Sequence, residues 1–281
     1  MNNHIHWYPG HIAKAERQLK EKLNRIDLLL EVLDARIPFS SAYQNSNKLA
    51  GEKLKIVLLN KSDVADPNKT KIWKEKIEKK YGCPCLLTTT KNQKDTKIII
   101  DKILSEATPV FEKLKSKGLL PRPIRVMVIG MPNVGKSSVI NKLTGRAKTK
   151  TGAKAGVTRN QQWVRVHDKV ELLDTPGIIP TVQDNPISSV RLAMVNSISE
   201  NAYDNEYVAF ELLKILDKYY KDQTKEYYKT EDDLTIENIA RARNWIIKGN
   251  KPDIERCAQF ILTNFRDGKI GNITLDEPND F

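Results

Sequence analysis

Gly130-Met131-Pro132-Asn133-Val134-Gly135-Lys136-Ser137-Ser138 is a glycine-rich turn flanked by two regular elements. An apolar run, Ile124 to Ile129, precedes it and reads as a buried strand. Val139-Ile140-Asn141-Lys142-Leu143 follows with helical spacing. Strand, glycine-rich turn, Lys-Ser and helix together make G-x-x-x-x-G-K-[ST] a phosphate-binding loop. The glycines let the backbone curl so that N–H groups point at phosphate oxygens, and the helix N-terminus adds partial positive charge. Met131, Pro132, Asn133, Val134, Gly135 and Ser138 then line the phosphates, Lys136 reaches the outer ones as a catalytic cation, and the Ser137 hydroxyl ligates Mg²⁺.

Upstream, Asn60-Lys61-Ser62-Asp63 matches N-K-x-D. A carboxylate at Asp63 can accept both N1–H and the 2-amino group of guanine, a bidentate, charge-assisted pair that adenine cannot offer. Asn60 contacts the base edge or holds neighbouring loops, and the aliphatic part of Lys61 lies over the base. Thr88, Thr89 and Thr90 are expected against the base through backbone N–H groups. Downstream, Asp174-Thr175-Pro176-Gly177 matches a γ-phosphate sensor. Asp174 would hold Mg²⁺ through water, the Gly177 N–H would meet the γ-phosphate, and Thr158 is the second hydroxyl ligand. Together the motifs select GTP, and such loops order when the γ-phosphate is present.

Periodicity supplies the frame. Residues 11–25 read as an amphipathic basic helix. Strands are expected at 26–33, 55–59 and 85–87, alternating with helices at 42–51, 68–81 and 95–105. This alternation predicts an α/β, doubly wound parallel sheet with ligands at the carboxyl ends of the strands. A partly helical connector at 107–123 leads to the phosphate loop. A hairpin pairs 162–167 with 170–173. Beyond about Pro186 strand signals vanish, and helical periodicity runs through 187–200, 206–220, 235–248 and 252–266, with a short acidic tail after Gly268. The expected domains are a nucleotide-binding unit, 1–182, and an all-α unit, 183–281. The motif order is unusual: N-K-S-D precedes the phosphate loop, so the chain reads as circularly permuted, with 107–123 closing the old termini.

The 281 residues are 40% hydrophobic and 29% charged, with a formal net charge of +12. A small-molecule enzyme does not need that charge; a polyanionic partner explains it. Lys142, Arg146, Lys148, Lys150, Lys154, Arg159 and Arg165 occur with no Asp or Glu among them. The opening residues carry no secretory signal and no run is long enough to span a membrane. Cys83, Cys85 and Cys257 read as reduced thiols of a cytoplasmic protein. His4 and His6 could bind a metal in principle, but an N-terminal arm is the favoured reading.

Trp7-Tyr8-Pro9-Gly10-His11-Ile12-Ala13-Lys14-Ala15, Asp34-Ala35-Arg36-Ile37-Pro38, the permuted motif order and Phe265-Arg266-Asp267-Gly268-Lys269-Ile270-Gly271 resemble the circularly permuted GTPases that assemble ribosomes, in particular the ribosome biogenesis GTPase A group and its organellar relatives. Tyr8, Ile12 and Thr88-Thr89-Thr90 depart from the usual pattern. The resemblance implies a P-loop GTPase that binds the immature large ribosomal subunit and its rRNA, hydrolyses GTP there and leaves, acting as a monomer off the ribosome. Ile178 stands where many GTPases place the glutamine that orients water, and an isoleucine cannot do so. His11 is then the candidate to position water; the alternative is that it packs the N-terminal arm. Asn133 resembles an asparagine that coordinates K⁺ in related GTPases, or is a loop-stabilising amide. Asp34 and Arg36 lie near the nucleotide or form a salt bridge within the fold. Lys148, Lys150 and Lys154, with Arg266 and Lys269 of a basic C-terminal region, are the candidate RNA contacts; a plain solvated face is the rival reading of that region. Outside this reading stand a translation or RNA-modification factor, a passive RNA chaperone that merely binds nucleotide, and a P-loop kinase, which N-K-S-D disfavours.

Overall fold

The computed structural model of the chain describes residues 21–89, 91–92, 94–145, 163–173, 177–178 and 185–280. Seven strands form one sheet. β1 (Leu28–Asp34), β2 (Leu54–Asn60), β3 (Cys85–Leu87), β4 (Ile124–Gly130), β5 (Trp163–His167) and β6 (Val170–Leu173) lie in the order β3-β2-β1-β4-β6-β5, and β7 (Gly177–Ile178) also pairs with β4. Every pairing in this sheet is parallel except β5 with β6. Parallel strands need both faces covered, which is why β1 reads as an unbroken run, Leu-Leu-Leu-Glu-Val-Leu-Asp, buried throughout. Leu28, Leu30 and Val32 face one hydrophobic cluster, while Leu29 and Leu33 face clusters on the other side.

The helices follow their start and stop signals. α1 (Ser46–Ala50) is shorter than its expected span. α2 (Pro67–Tyr81) has Pro at its first turn, an Asp66 cap that accepts from the Asn68 and Lys69 N–H groups, and Gly82 in the left-handed conformation at its end. α3 (Lys94–Glu106) is the helix expected at 95–105, α4 (Thr108–Ser116) lies in the connector, and α5 (Lys136–Thr144) follows the phosphate loop.

The C-terminal region contains α6 (Pro186–Met194), α7 (Asn205–Tyr219), α8 (Lys221–Tyr228), α9 (Ile236–Ala242) and α10 (Ile254–Arg266). Two expectations fail here. The helix predicted over 235–248 ends at Ala242, and a small antiparallel hairpin follows, β8 (Ile246–Ile247) with β9 (Lys251–Pro252). Asn244, Gly249 and Asn250 adopt positive φ, and the chain can turn there because these residue types tolerate that conformation. α8 was not expected at all: its sequence, KDQTKEYY, is too polar to show an apolar stripe, and it buries only Thr224 and Tyr228.

The acidic tail is the largest surprise. It packs back across the sheet domain. Ile270, Ile273 and Leu275 are buried, as is the carboxylate of Asp276. Leu275 N–H donates to Arg36 O at 2.7 Å and Ile273 N–H to Val64 O at 3.1 Å. Asp276 accepts from Ser40 N–H and Oγ, each at 2.7 Å, and from Arg191 Nη1 at 2.9 Å. Trp73 Nε1 donates to Asp276 O, and Lys69 pairs with Glu277 at 2.6 Å. The tail therefore clamps α6 and α2 to the loop after β1. Leu275→Ala should lower unfolding free energy in urea by about 2–5 kcal/mol, the usual cost of emptying a buried leucine site. Leu120→Ala, at a side chain 88% exposed, should change it by about 0.5 kcal/mol or less. Equal effects would show that the tail lies loosely on the surface.

Candidate nucleotide-binding site

The sheet order places β1 between β2, which ends in N-K-S-D, and β4, which ends in the phosphate loop. Three strand ends thus meet at one edge, and Asp34 lies opposite Asn60 in register. Asp34 is fully buried. Its Oδ1 accepts from Arg36 N–H and Nε, each at 3.0 Å, and its Oδ2 accepts from Arg36 Nη2 at 2.9 Å and Lys61 Nζ at 2.8 Å. Burial alone would raise the Asp34 pKa. The adjacent Arg36 and Lys61 cations outweigh it and hold the carboxyl well below the usual range. Of the two readings left open for Asp34 and Arg36, the internal salt bridge is the one found.

Lys61 reaches further. Its Nζ also donates to Asn133 O at 2.7 Å, joining the N-K-S-D turn to the phosphate loop. Asn60 makes a second join, Nδ2 to Val134 O at 2.8 Å, while its Oδ1 is a buried acceptor without a protein donor. Gly135 is required at this contact: a Cβ there would come within 2.2 Å of Asn60 Nδ2, and its φ of +103° is unsuited to other residues. Gly130 likewise packs on Val32 O, 2.4 Å from where a Cβ would stand.

Lys136 turns its ammonium back onto Met131 O at 2.5 Å. Burial pushes its pKa down to about 8, with no carboxylate among the described residues to offset the desolvation. A buried cation in that state fits an anionic ligand, and phosphate supplies the missing charge. Ser137 sits in the first turn of α5, where a hydroxyl ligand to Mg²⁺ belongs, and hard oxygen donors suit that ion. Among the described residues no cluster of His, Cys, Asp or Glu competes for a metal.

On the base side, Asp63 remains ionised. Burial works to raise its pKa, and hydrogen bonds from Lys91, 2.7 Å away, and Thr89 more than reverse this. Ser62 N–H and Oγ both donate to Thr88 O. The expectation for Thr88 and Thr89 needs correction. Thr88 N–H donates to Leu59 O and Thr89 N–H to Asp95 Oδ2, so both amides are engaged within the protein and shape the loop instead of facing a base. Lys142 is a second correction: its ammonium bonds Thr89 O at 2.8 Å and also Asn92 O, tying α5 to this loop, so it is not a free charge for RNA.

Arg266 is the third correction. Its guanidinium donates to Met194 O, Ala193 O and Tyr203 Oη and pairs with Glu200 at 2.9 Å. It joins α10 to the end of α6 and is unavailable to RNA. The stretch Phe265–Gly271 acts as a joint: Arg36 Nη1 donates to Phe265 O and Arg266 O at the end of α10, and a Cβ on Gly268 would come within 2.5 Å of Val64 Cγ1 in the N-K-S-D turn. Lys269, paired with Asp267, is exposed. Asn133 meets the helical region too. Its Nδ2 donates to Asn196 O, and Ser197 Oγ donates to Pro132 O at 2.8 Å. Sequence patterning gave no signal for Asn196 or Ser197. The backbone of Gly177 pairs with Ile129 beside the phosphate loop. His11, Lys148, Lys150, Lys154, Thr158 and Asp174 lie outside the described residues.

Comparison with known proteins decides the family. Residues 125–249 match the family described as 50S ribosome-binding GTPase. Ribosome biogenesis GTPase A of Bacillus licheniformis is 36% identical, with 98% of this chain and 99% of that protein aligned. That of Thermotoga maritima is 33% identical, over 98% and 95%. The chain belongs to the ribosome biogenesis GTPase A family. The GDP-bound structure of YlqF from Thermotoga maritima superposes with a TM-score of 0.70 at 28% identity, covering 94% of this chain and all of that one. The GNP-bound YlqF structure gives 0.69 at 29% identity, covering 95% of this chain. The α/β P-loop GTPase architecture, the permuted motif order and a role as a GTPase of ribosome biogenesis follow from this membership. A GTPase of this family takes GTP as its substrate and typically uses Mg²⁺.

In this member of the ribosome biogenesis GTPase A family, the depressed pKa of Asp34 ties stability to pH. Its stabilisation is complete above the unfolded-state pKa of about 3.9 and is lost as pH falls through the depressed folded value. Asp34→Asn leaves Arg36 buried without its anion and should cost about 3–5 kcal/mol at pH 7. The gap from the unmodified protein should narrow below about pH 4. A constant gap from pH 7 to pH 3 in denaturant titrations would contradict the assignment.

Proposed function

We propose that this GTPase binds the immature large ribosomal subunit, hydrolyses GTP on it and then leaves. The observation that carries the reading is the direct wiring of the nucleotide site to the helical region: Arg36 bonds the end of α10, and Asn133 and Pro132 meet Asn196 and Ser197. The name of the matching family, 50S ribosome-binding GTPase, and the net charge of +12 support a ribosomal partner.

In this reading residues 1–182 form the nucleotide unit and 183–281 dock on the subunit. Asp63 accepts from the guanine edge, Lys61 covers the base and Ser62 shapes the turn. Residues 131–138 cradle the phosphates, and Lys136 returns from Met131 O to the outer ones. Ser137, Thr158 and Asp174 would hold Mg²⁺, which supplies charge neutralisation at the β- and γ-phosphates. Gly177 N–H meets the γ-phosphate. With its Nδ2 on Asn196, Asn133 offers its carbonyl oxygen to K⁺. His11 positions the attacking water. Lys148, Lys150, Lys154 and Lys269 face rRNA. The protein works in the cytoplasm as a monomer off the subunit; among the described residues no helix is long and apolar enough to cross a membrane.

Purified large subunits should stimulate single-turnover GTP hydrolysis, more in K⁺ than in Na⁺. His11→Ala should slow the stimulated rate by about 10²–10⁴-fold, the range for a positioned acid–base group, with GTP affinity nearly unchanged. Binding of subunits without any turnover would favour a passive RNA chaperone. An unaltered rate in His11→Ala would make that residue structural.

A further inference from the structure

The hairpin that replaces the end of the expected 235–248 helix has no role in the site described above. We propose that this finger, Trp245 to Pro252, is a docking element for unpaired nucleotides of ribosomal RNA, an inference that rests on the ribosomal reading and names a contact within it.

Its base is rigid. Trp245 N–H donates to Ala240 O, and Asp253 N–H donates to Trp245 O, each at 2.9 Å. The Trp245 ring meets Phe260 edge-on, with centroids 4.8 Å apart. The Arg256 guanidinium stacks over Trp245 at 4.6 Å, and Arg243 over Phe260 at 4.6 Å. Arg243 Nε is buried and makes no hydrogen bond, so the cation is held by ring faces.

Its tip is open. Ile246 is 36% and Ile247 51% exposed, and Lys248, Gly249, Asn250 and Lys251 are exposed as well. Ile247 lies opposite Lys251 in register, so an apolar and a cationic side chain share one face. A ladder of two residue pairs gains little stability from exposed isoleucines, and leaving them in water is unfavourable unless something covers them.

Charge chooses the occupant. Residues 241–256 hold five basic side chains (Arg241, Arg243, Lys248, Lys251 and Arg256) against Asp253 and Glu255. The Asp253 carboxylate caps α10 by accepting from Arg256 N–H. A partner rich in phosphate is therefore favoured. The exposed isoleucines provide apolar surface, and the outer face of the Arg256 guanidinium stacked on Trp245 provides a flat cationic plane, a combination that suits single-stranded or looped RNA better than a duplex backbone alone.

Two variants test this with precursor large subunits and a non-hydrolysable GTP analogue. A photo-crosslinking amino acid in place of Ile247 should join the protein to RNA, in a product that ribonuclease shortens. A product resistant to ribonuclease, formed with a ribosomal protein, overturns the proposal, as does the absence of any product. Lys248→Glu with Lys251→Glu should weaken subunit binding about tenfold at fixed salt and flatten the slope of log affinity against log salt by about 2. Melting temperature, GTP affinity and unstimulated hydrolysis should not move. If the unmodified protein fails to bind subunits, the ribosomal reading fails and this contact falls with it. If the unmodified protein binds and the double variant binds equally well, the finger alone is excluded.

Discussion

A single buried carboxylate, Asp34, organises the structure. Taking it and two cations out of water is unfavourable, and such clusters stabilise only when their hydrogen-bonding capacity is filled. Here it is filled: each carboxylate oxygen accepts two donors, from Arg36 and Lys61. Each cation then has donors to spare, and these bind backbone carbonyls on other elements. Lys61 takes the phosphate loop at Asn133 O, and Arg36 takes the end of α10 at Phe265 O and Arg266 O. Removing the central charge would loosen the N-K-S-D turn, the phosphate loop and the helical region together.

This explains how the site survives a permuted motif order. Nucleotide recognition needs the motifs close in space, and strand ends of one parallel sheet provide that whatever their order along the chain. β1 carries no nucleotide motif of its own, yet it separates β2 from β4, and its terminal Asp34 bridges their loops. The permuted order also places the Asp174-Thr175-Pro176-Gly177 stretch, proposed to sense the γ-phosphate, directly before α6 in the sequence. The contacts of Asn133 and Pro132 with Asn196 and Ser197 add a second connection, from the phosphate loop to the segment just after α6.

The phosphate loop, N-K-S-D and the alternation of strands and helices were legible because each depends on local residue types. Gly135 and Lys136 signal a curled loop at a helix start wherever it lies, and β1 reads as buried from its composition alone. What escaped depended on contacts distant in sequence. Asn60 could hold a loop or meet the base, and the Val134 O contact that engages its Nδ2 comes only from strand register. Arg266 looks like any exposed cation on a basic helix until Met194, Ala193 and Tyr203 are seen beside it. The tail reads only as short and acidic, and its burial depends on Ser40 and Arg191, which draw Asp276 inside. The hairpin was legible in principle from Gly249-Asn250, a turn pair between two stretches read as helical.

We propose that one γ-phosphate contact at Gly177 shifts both the nucleotide site and the helical region that docks on the subunit. A ligand shifts such an equilibrium only by its differential affinity for the two states. The most direct measurement is the affinity of purified precursor large subunits for the protein loaded with a non-hydrolysable GTP analogue or with GDP, at one fixed salt concentration. Binding should be tighter in the analogue state by about 1–3 kcal/mol, the usual range of coupling between two sites. Equal affinity in the two states would contradict it.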